Sequence, residues 1–174
     1  MLKGPIVGLA LVLSACTALP QAAGGHAASV AIVSGADALI DRYDEAALKS
    51  ITSELGYSIS EKDTDNQGRP FMTVEAGGDM AFRIGGQSCE GKSREQVCQG
   101  VQLTARFPGD PDDEKLSEIV DRVNRTLRPA KIFFIESGVA YERYLIMDGG
   151  VSRENLKVNI EVFVEILEAI LKQI

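Results

Sequence analysis

The chain has 174 residues, 45% hydrophobic, 25% charged and 6% aromatic, which is room for one domain with a real core plus an extension. Acidic residues outnumber basic ones by 25 to 18, a net charge of -7. Such a surface repels nucleic acid and anionic headgroups, whose phosphates need clustered Lys and Arg. The single histidine, His26, sits in a Gly/Ala-rich stretch, which removes His-dependent catalysis and most zinc sites.

Lys3 is followed by an apolar run, Ile6 to Leu13, too short to span a bilayer and right for a signal-peptide core. Leu13-Ser14-Ala15-Cys16 resembles the lipobox of bacterial lipoproteins, which implies cleavage after residue 15 and lipidation of the Cys16 thiol. A plain secretory signal cleaved near Ala22-Ala23-Gly24 is the alternative. Several acyl chains would hold the protein firmly, each buried CH₂ contributing ~0.8 kcal/mol. Thr17, rather than Asp, follows the cysteine and by analogy with enteric bacteria favours the outer membrane. Residues 16–29 are Ala/Gly-rich around Pro20 and read as a tether; residues 30–174 read as a single domain.

Val30 to Val33 is an apolar patch of strand length. From Asp44, Ala47, Leu48, Ile51 and Leu55 share a helical face, and Gly56 stands where a left-handed C-cap belongs. Tyr57 and Ile59 open a strand, Asp63 to Gly68 supplies a polar turn, and Phe71 to Glu75 returns. After a turn at Ala76 to Asp79, Met80, Phe82 and Ile84 alternate with Ala81 and Arg83. Val101, Leu103, Ala105 and Phe107 alternate with Gln102, Thr104 and Arg106, the clearest period-2 signal in the chain. Pro108 to Pro111 stops that strand. Asp112 to about Leu127 reads as a helix, acidic in its first turn, with Leu116, Ile119, Val120 and Val123 as its face and Pro129 beyond its end. Lys131 to Ile135 and Val139 to Met147 form a hairpin about Ser137-Gly138. Ser152 N-caps a final helix to Ile174, with Val151 and Leu156 placed as a hydrophobic staple. The order α-β-β-β-β-α-β-β-α predicts an α+β fold, an antiparallel sheet with flanking helices.

The chain resembles the YbjN family, described as bacterial sensory transduction regulators, from about Asp44 to Ile174. The resemblance rests on Leu55-Gly56-Tyr57, the polar turn closing at Gly68, and the two cysteines flanking the middle loop. It also rests on Val123-Asn124-Arg125 and Gly149-Gly150-Val151-Ser152. It implies a fold similar to type III secretion chaperones, which bind partner polypeptides and often dimerise, and it implies no catalytic residue. The chain departs from the family pattern at Val123, where an aromatic is common, and at Arg69, where the first turn is often acidic.

Cys89 and Cys98 are the thiols left after lipidation, and in an exported protein they are most simply a disulfide. Closing a loop of about ten residues stabilises by about 2.5 to 3 kcal/mol on the chain-entropy account. The spacing lacks the Cys-x-x-Cys geometry of redox enzymes. Gly86 to Ser93 fits G-x-x-x-x-G-K-[ST], and Tyr144 to Asp148 could pass for the strand that ends in a magnesium-binding aspartate. A phosphate loop must open a helix, however, and only Arg94 to Gln99 lies between Ser93 and Gly100. Asp63 to Gly68 is similar to a calcium loop, but its twelfth position is Val74 and no helix follows. Asp110, Asp112, Asp113 and Glu114 read as a helix N-terminus rather than as paired acid/base carboxylates.

In the last helix, Leu156, Ile160, Phe163, Leu167, Ile170 and Ile174 make one stripe. Val158, Val162 and Ile166, with Ala169, form a further apolar row that one sheet cannot easily cover. Either the first helix packs there, or the row is the contact with a second copy or another polypeptide. The sequence therefore predicts an exported, lipid-anchored, non-enzymatic binding domain of the bacterial envelope, held at the outer membrane and facing the periplasm, or else periplasmic or secreted. Its partner is a protein or peptide; no cofactor, metal or nucleic acid is expected. The alternative is a nucleotide- or small-ligand-responsive sensor using residues 85–93.

Overall fold

The computed structural model describes residues 39–91, 96–127 and 130–174, all within one compact unit, Gly35–Ile174. The signal peptide, Cys16, the tether and the expected strand at Val30 to Val33 lie outside the described residues.

The chain opens with helix α1 (Glu45–Glu54), whose N-cap Asp44 accepts a hydrogen bond from the Ala47 amide. Gly56 ends it at φ +77°, a conformation that costs a residue with a Cβ. Strands β1 (Ser58–Thr64), β2 (Pro70–Gly77), β3 (Met80–Glu90) and β4 (Val97–Phe107) follow as a meander. Helix α2 (Glu114–Thr126), capped by Asp113, leads to the hairpin β5 (Lys131–Ile135) and β6 (Gly138–Ile146). Helix α3 (Arg153–Leu171) starts at Ser152, whose hydroxyl accepts from the Asn155 amide. The α+β order matches the sequence reading element for element.

The six strands form one antiparallel sheet in the order β1-β2-β3-β4-β6-β5. Met72, Val74, Phe82, Ile84, Val101, Leu103 and Tyr141 point to one face and are buried against the three helices. Leu48 and Ile51 of α1, Leu116, Ile119 and Val123 of α2, and Leu156, Ile160, Phe163 and Leu167 of α3 complete this core. Aromatic rings tie the layers together: Phe163 stacks on Tyr141 with centroids 4.5 Å apart and packs obliquely on Phe82 at 5.4 Å. The three helices of the described residues share that core, so among those residues no helix lies on the opposite face of the sheet.

Two strands are longer than the period-2 signal indicates. β3 runs on past Ile84 to Glu90, and β4 begins at Val97 rather than Val101. Gly85, Gly86 and Gly100 carry no side chain there, so no alternation is visible although the ladder continues through Cys89↔Cys98.

The two sheet edges are guarded differently. β1 presents Glu61, Lys62 and Asp63 to solvent, a charged border that discourages strand addition. On β5, the Asn124 amide behaves as a short artificial strand. Its Nδ2 donates to the Ile132 carbonyl at 2.8 Å and its Oδ1 accepts from the Ile132 amide at 3.0 Å. Both outward-facing backbone groups of a fully buried residue are thereby satisfied.

Candidate functional site

The bare sheet face carries the outward half of each alternating strand. One register row crosses all six strands as Glu61, Thr73, Arg83, Thr104, Glu142 and Lys131. The row beside it runs Phe71, Gly85, Gln102 and Tyr144. Gly85 contributes no bulk between Phe71 and Gln102, and the sheet there holds a cavity of about 320 Å³. Arg69, Phe71, Arg83, Gln102, Arg106 and Glu142 are among the residues around it.

Three arginines converge on this cavity with different degrees of freedom. Arg69 is committed: its Nε donates to Asp65 Oδ2 at 2.7 Å and its Nη1 to Gln87 Oε1 at 2.7 Å. Gln87 donates in turn to Gln102, so one hydrogen-bonded chain runs from the β1–β2 turn to the middle of β4. Burial raises the Asp65 carboxyl, but the Arg69 guanidinium and the Arg69 and Gln67 amides outweigh it and hold the group below its ordinary value. Arg83 is oriented without being neutralised: its guanidinium carbon lies 3.6 Å from the centre of the Phe71 ring. Arg106 faces Ala140 across the ladder. None of the ion pairs among the described residues uses Arg83, Arg106 or Glu142. In a chain of net charge -7, two arginines without carboxylate partners on one cavity make a local positive site.

The structure also locates the residues singled out from the sequence. Cys89 and Cys98 form a disulfide between directly opposed residues, Cα atoms 3.8 Å apart, closing the far end of the β3–β4 hairpin. The phosphate-loop reading of residues 85–93 loses its geometry. Gly85 to Glu90 belong to β3, with Ser88 alone turned to φ +51°, and the Ser88 hydroxyl is within 2.9 Å of the Tyr144 hydroxyl. Lys92 and Ser93 lie outside the described residues. Asp63 and Thr64, expected in the turn, extend β1 instead and pair with Phe71 and Pro70; in the turn that follows, Asp65 Oδ1 accepts from the amides of Gln67 and Arg69, so its carboxylate is occupied by the chain itself. Among the described residues no cluster of His, Cys, Asp or Glu is arranged to hold a metal ion, and no helix is long and apolar enough to cross a membrane.

The row Val158, Val162 and Ile166 is divided. Ile166 packs against the core, Val162 is partly buried, and Val158 is 44% exposed. Arg153 binds Glu54 and Ser50 of α1, and Tyr57 lies near Glu161 and Glu165, so α1 docks on the flank of α3 carrying those residues. At the helical angle per residue, Glu161, Glu165, Val158 and Val162 lie about 80°, 120°, 140° and 180° around α3 from Arg153, so the row borders that flank.

Strand alternation marked Arg83, Gln102, Thr104 and Arg106 as wet positions, and that was the whole signal for them. Strand order is what turns them into neighbours, and the placement of all helices on one side is what leaves them bare.

Fold and site together define an α+β domain with a one-sided antiparallel sheet and a cation-bearing cavity on its free face. The chain belongs to the YbjN family, whose description is "putative bacterial sensory transduction regulator"; the family match covers residues 46–174, from α1 to the C-terminus. Membership points to a regulator-like role in sensory transduction. No curated protein and no solved structure matches the chain, so the similarity to type III secretion chaperones stays an implication of the family resemblance. Of the two departures from the family pattern, Val123 is a core residue of α2 and Arg69 anchors the hydrogen-bonded chain beside the cavity.

Proposed function

We propose that this chain is an exported, lipid-anchored, non-enzymatic binding domain of the bacterial envelope. It is held at the outer membrane through Cys16 and takes a protein or peptide partner in a regulatory role. The observation that carries the binding part is the sheet face that no helix among the described residues covers, on which two arginines without an ion-pair partner among those residues flank a cavity. A sheet that buries one face usually leaves the other to solvent with dispersed polar residues; here the cations converge instead. The Cys89–Cys98 disulfide supports the compartment, because such bonds persist in oxidising surroundings. The Leu13-Ser14-Ala15-Cys16 motif supports the anchor. The regulator-type family supports the role.

The test is made in the native cell with a clickable fatty-acid analogue, fractionation and chemical crosslinking. The full chain should label, lose label on Cys16→Ser, sediment with outer membrane, and crosslink reproducibly to one defined envelope protein. An unlabelled chain in the cytosol with reduced Cys89 and Cys98 would contradict the proposal.

A further inference from the structure

We infer that the bare sheet face is a docking groove for an acidic peptide segment in extended conformation, gripped by Arg83 and Arg106. The inference rests on the binding role proposed above and names the chemistry of the partner.

Two arginines on one cavity, neither in an ion pair among the described residues, carry it. Arg83 of β3 stands directly opposite Thr104 of β4, and Arg106 is two residues further along β4 on the same face. Diagonal neighbours of this kind have their Cα atoms about 7 to 8 Å apart, and the long side chains reach further along the face. Side chains on one side of an extended chain repeat every two residues, about 6.5 to 7 Å. An extended peptide with carboxylates on alternate residues can offer one to each arginine along the face, which a compact monoanion cannot. The stacking of Arg83 on Phe71 holds its guanidinium in place before any ligand arrives, so little rotamer freedom is lost on binding.

The surroundings set direction and limit. Gln102, already held by Gln87, supplies an amide beside Arg83's row, and the Thr73 and Thr104 hydroxyls border the same cavity. Glu142 stands across Thr104 on β6 and repels a third carboxylate on that side. The groove thus selects a short acidic pair rather than a long polyanion. The chain as a whole, at net charge -7, disfavours acidic partners, so the attraction depends on the local positive charge of this face.

The test uses the full chain in detergent and a fluorescent octapeptide of alternating Glu and Gly, read by polarisation, with the Gln/Gly peptide as the neutral twin. The acidic peptide should bind, weaken with added salt, and lose about tenfold or more in affinity with Arg83→Gln or Arg106→Gln. Arg125→Gln, on the exposed side of α2 and paired with Asp121, should change nothing. Equal urea midpoints for the variants show that folding is intact. Equal binding of the two peptides, indifference to both site variants, or equally tight binding of free glutarate would overturn the inference. If those occur while the native-cell crosslink to one partner persists, this groove falls and the binding role stands; loss of label and crosslink removes the binding role itself.

Discussion

Asn124→Ala tests whether the β5 edge is held closed by a single side chain. The substitution removes both hydrogen bonds to Ile132, whose residue is fully buried, and leaves one N–H and one C=O facing outward with no partner. Each buried group left unsatisfied costs about 1 to 3 kcal/mol. The lower half of the summed range applies because water can approach an edge strand more easily than a core, so the loss should be about 2 to 4 kcal/mol. Urea unfolding of the full chain should show a lower midpoint with an unchanged slope, because the surface exposed on unfolding hardly alters. Asn124→Asp should be at least as damaging, since a carboxylate accepts from the Ile132 amide but cannot donate to its carbonyl. The opened edge should also raise the tendency to self-associate. A loss below about 0.5 kcal/mol for Asn124→Ala would refute the reasoning, because it would mean that the edge needs no such guard.

Gly138 has φ +137°, and a Cβ there would lie 2.3 Å from the Phe107 carbonyl oxygen and 3.1 Å from the Gly109 nitrogen, both backbone. Gly138→Ala should therefore cost more than about 3 kcal/mol, and a midpoint near that of the parent would contradict this geometry. The Tyr141 hydroxyl is buried with no partner, so Tyr141→Phe should be neutral or stabilising by up to about 1 kcal/mol, a result that destabilisation would reverse. Burial also raises the Tyr141 phenol, against a smaller opposing pull from Arg143, and burial with Glu45 nearby raises Tyr43. The folded values exceed that of an unfolded tyrosine, so this stability is complete below about pH 10 and is lost as pH rises through the folded values. Midpoints measured from pH 8 upward should fall above about pH 10, less steeply in Tyr141→Phe; equal slopes would contradict this. Reducing Cys89–Cys98 should lower stability by about 2.5 to 3 kcal/mol without unfolding the chain, and an unchanged midpoint would show the bond to be idle. Val162→Asp, at a partly buried position of α3, should leave fold and acidic-peptide binding intact; loss of peptide binding would move the site to α3.

The elements were legible because their local signals and their packing agree. Asp44, Asp113 and Ser152 cap the helices that their neighbours' apolar periodicity announces. The meander from β1 to β4 follows from turn chemistry alone. Strand order beyond it was not legible: β6 inserts between β4 and β5, and nothing local in Val139 to Ile146 says which edge it joins. The α3 row was legible as apolar, but its exposure depends on where α1 lands, which rests on Leu48 and Ile51 entering the shared core, with Arg153 reaching Glu54 and Ser50 across 99 and 103 residues. The sheet cavity was the least legible feature. Its residues come from the turn before β2 and from β2, β3, β4 and β6, and each alone looks like an ordinary solvated position. Asn124 was visible within Val123-Asn124-Arg125 as a mark of resemblance, whereas its work on Ile132 depends on a strand that begins seven residues later.

The most direct measurement is site-specific photocrosslinking in the native envelope, with the photoreactive residue placed at Thr104 on the bare sheet face or at Val158 on α3. The account predicts one defined adduct from Thr104 that disappears in the Arg83→Gln, Arg106→Gln double variant, and none from Val158. An adduct from Val158 alone, or one from Thr104 that survives loss of both arginines, would contradict it.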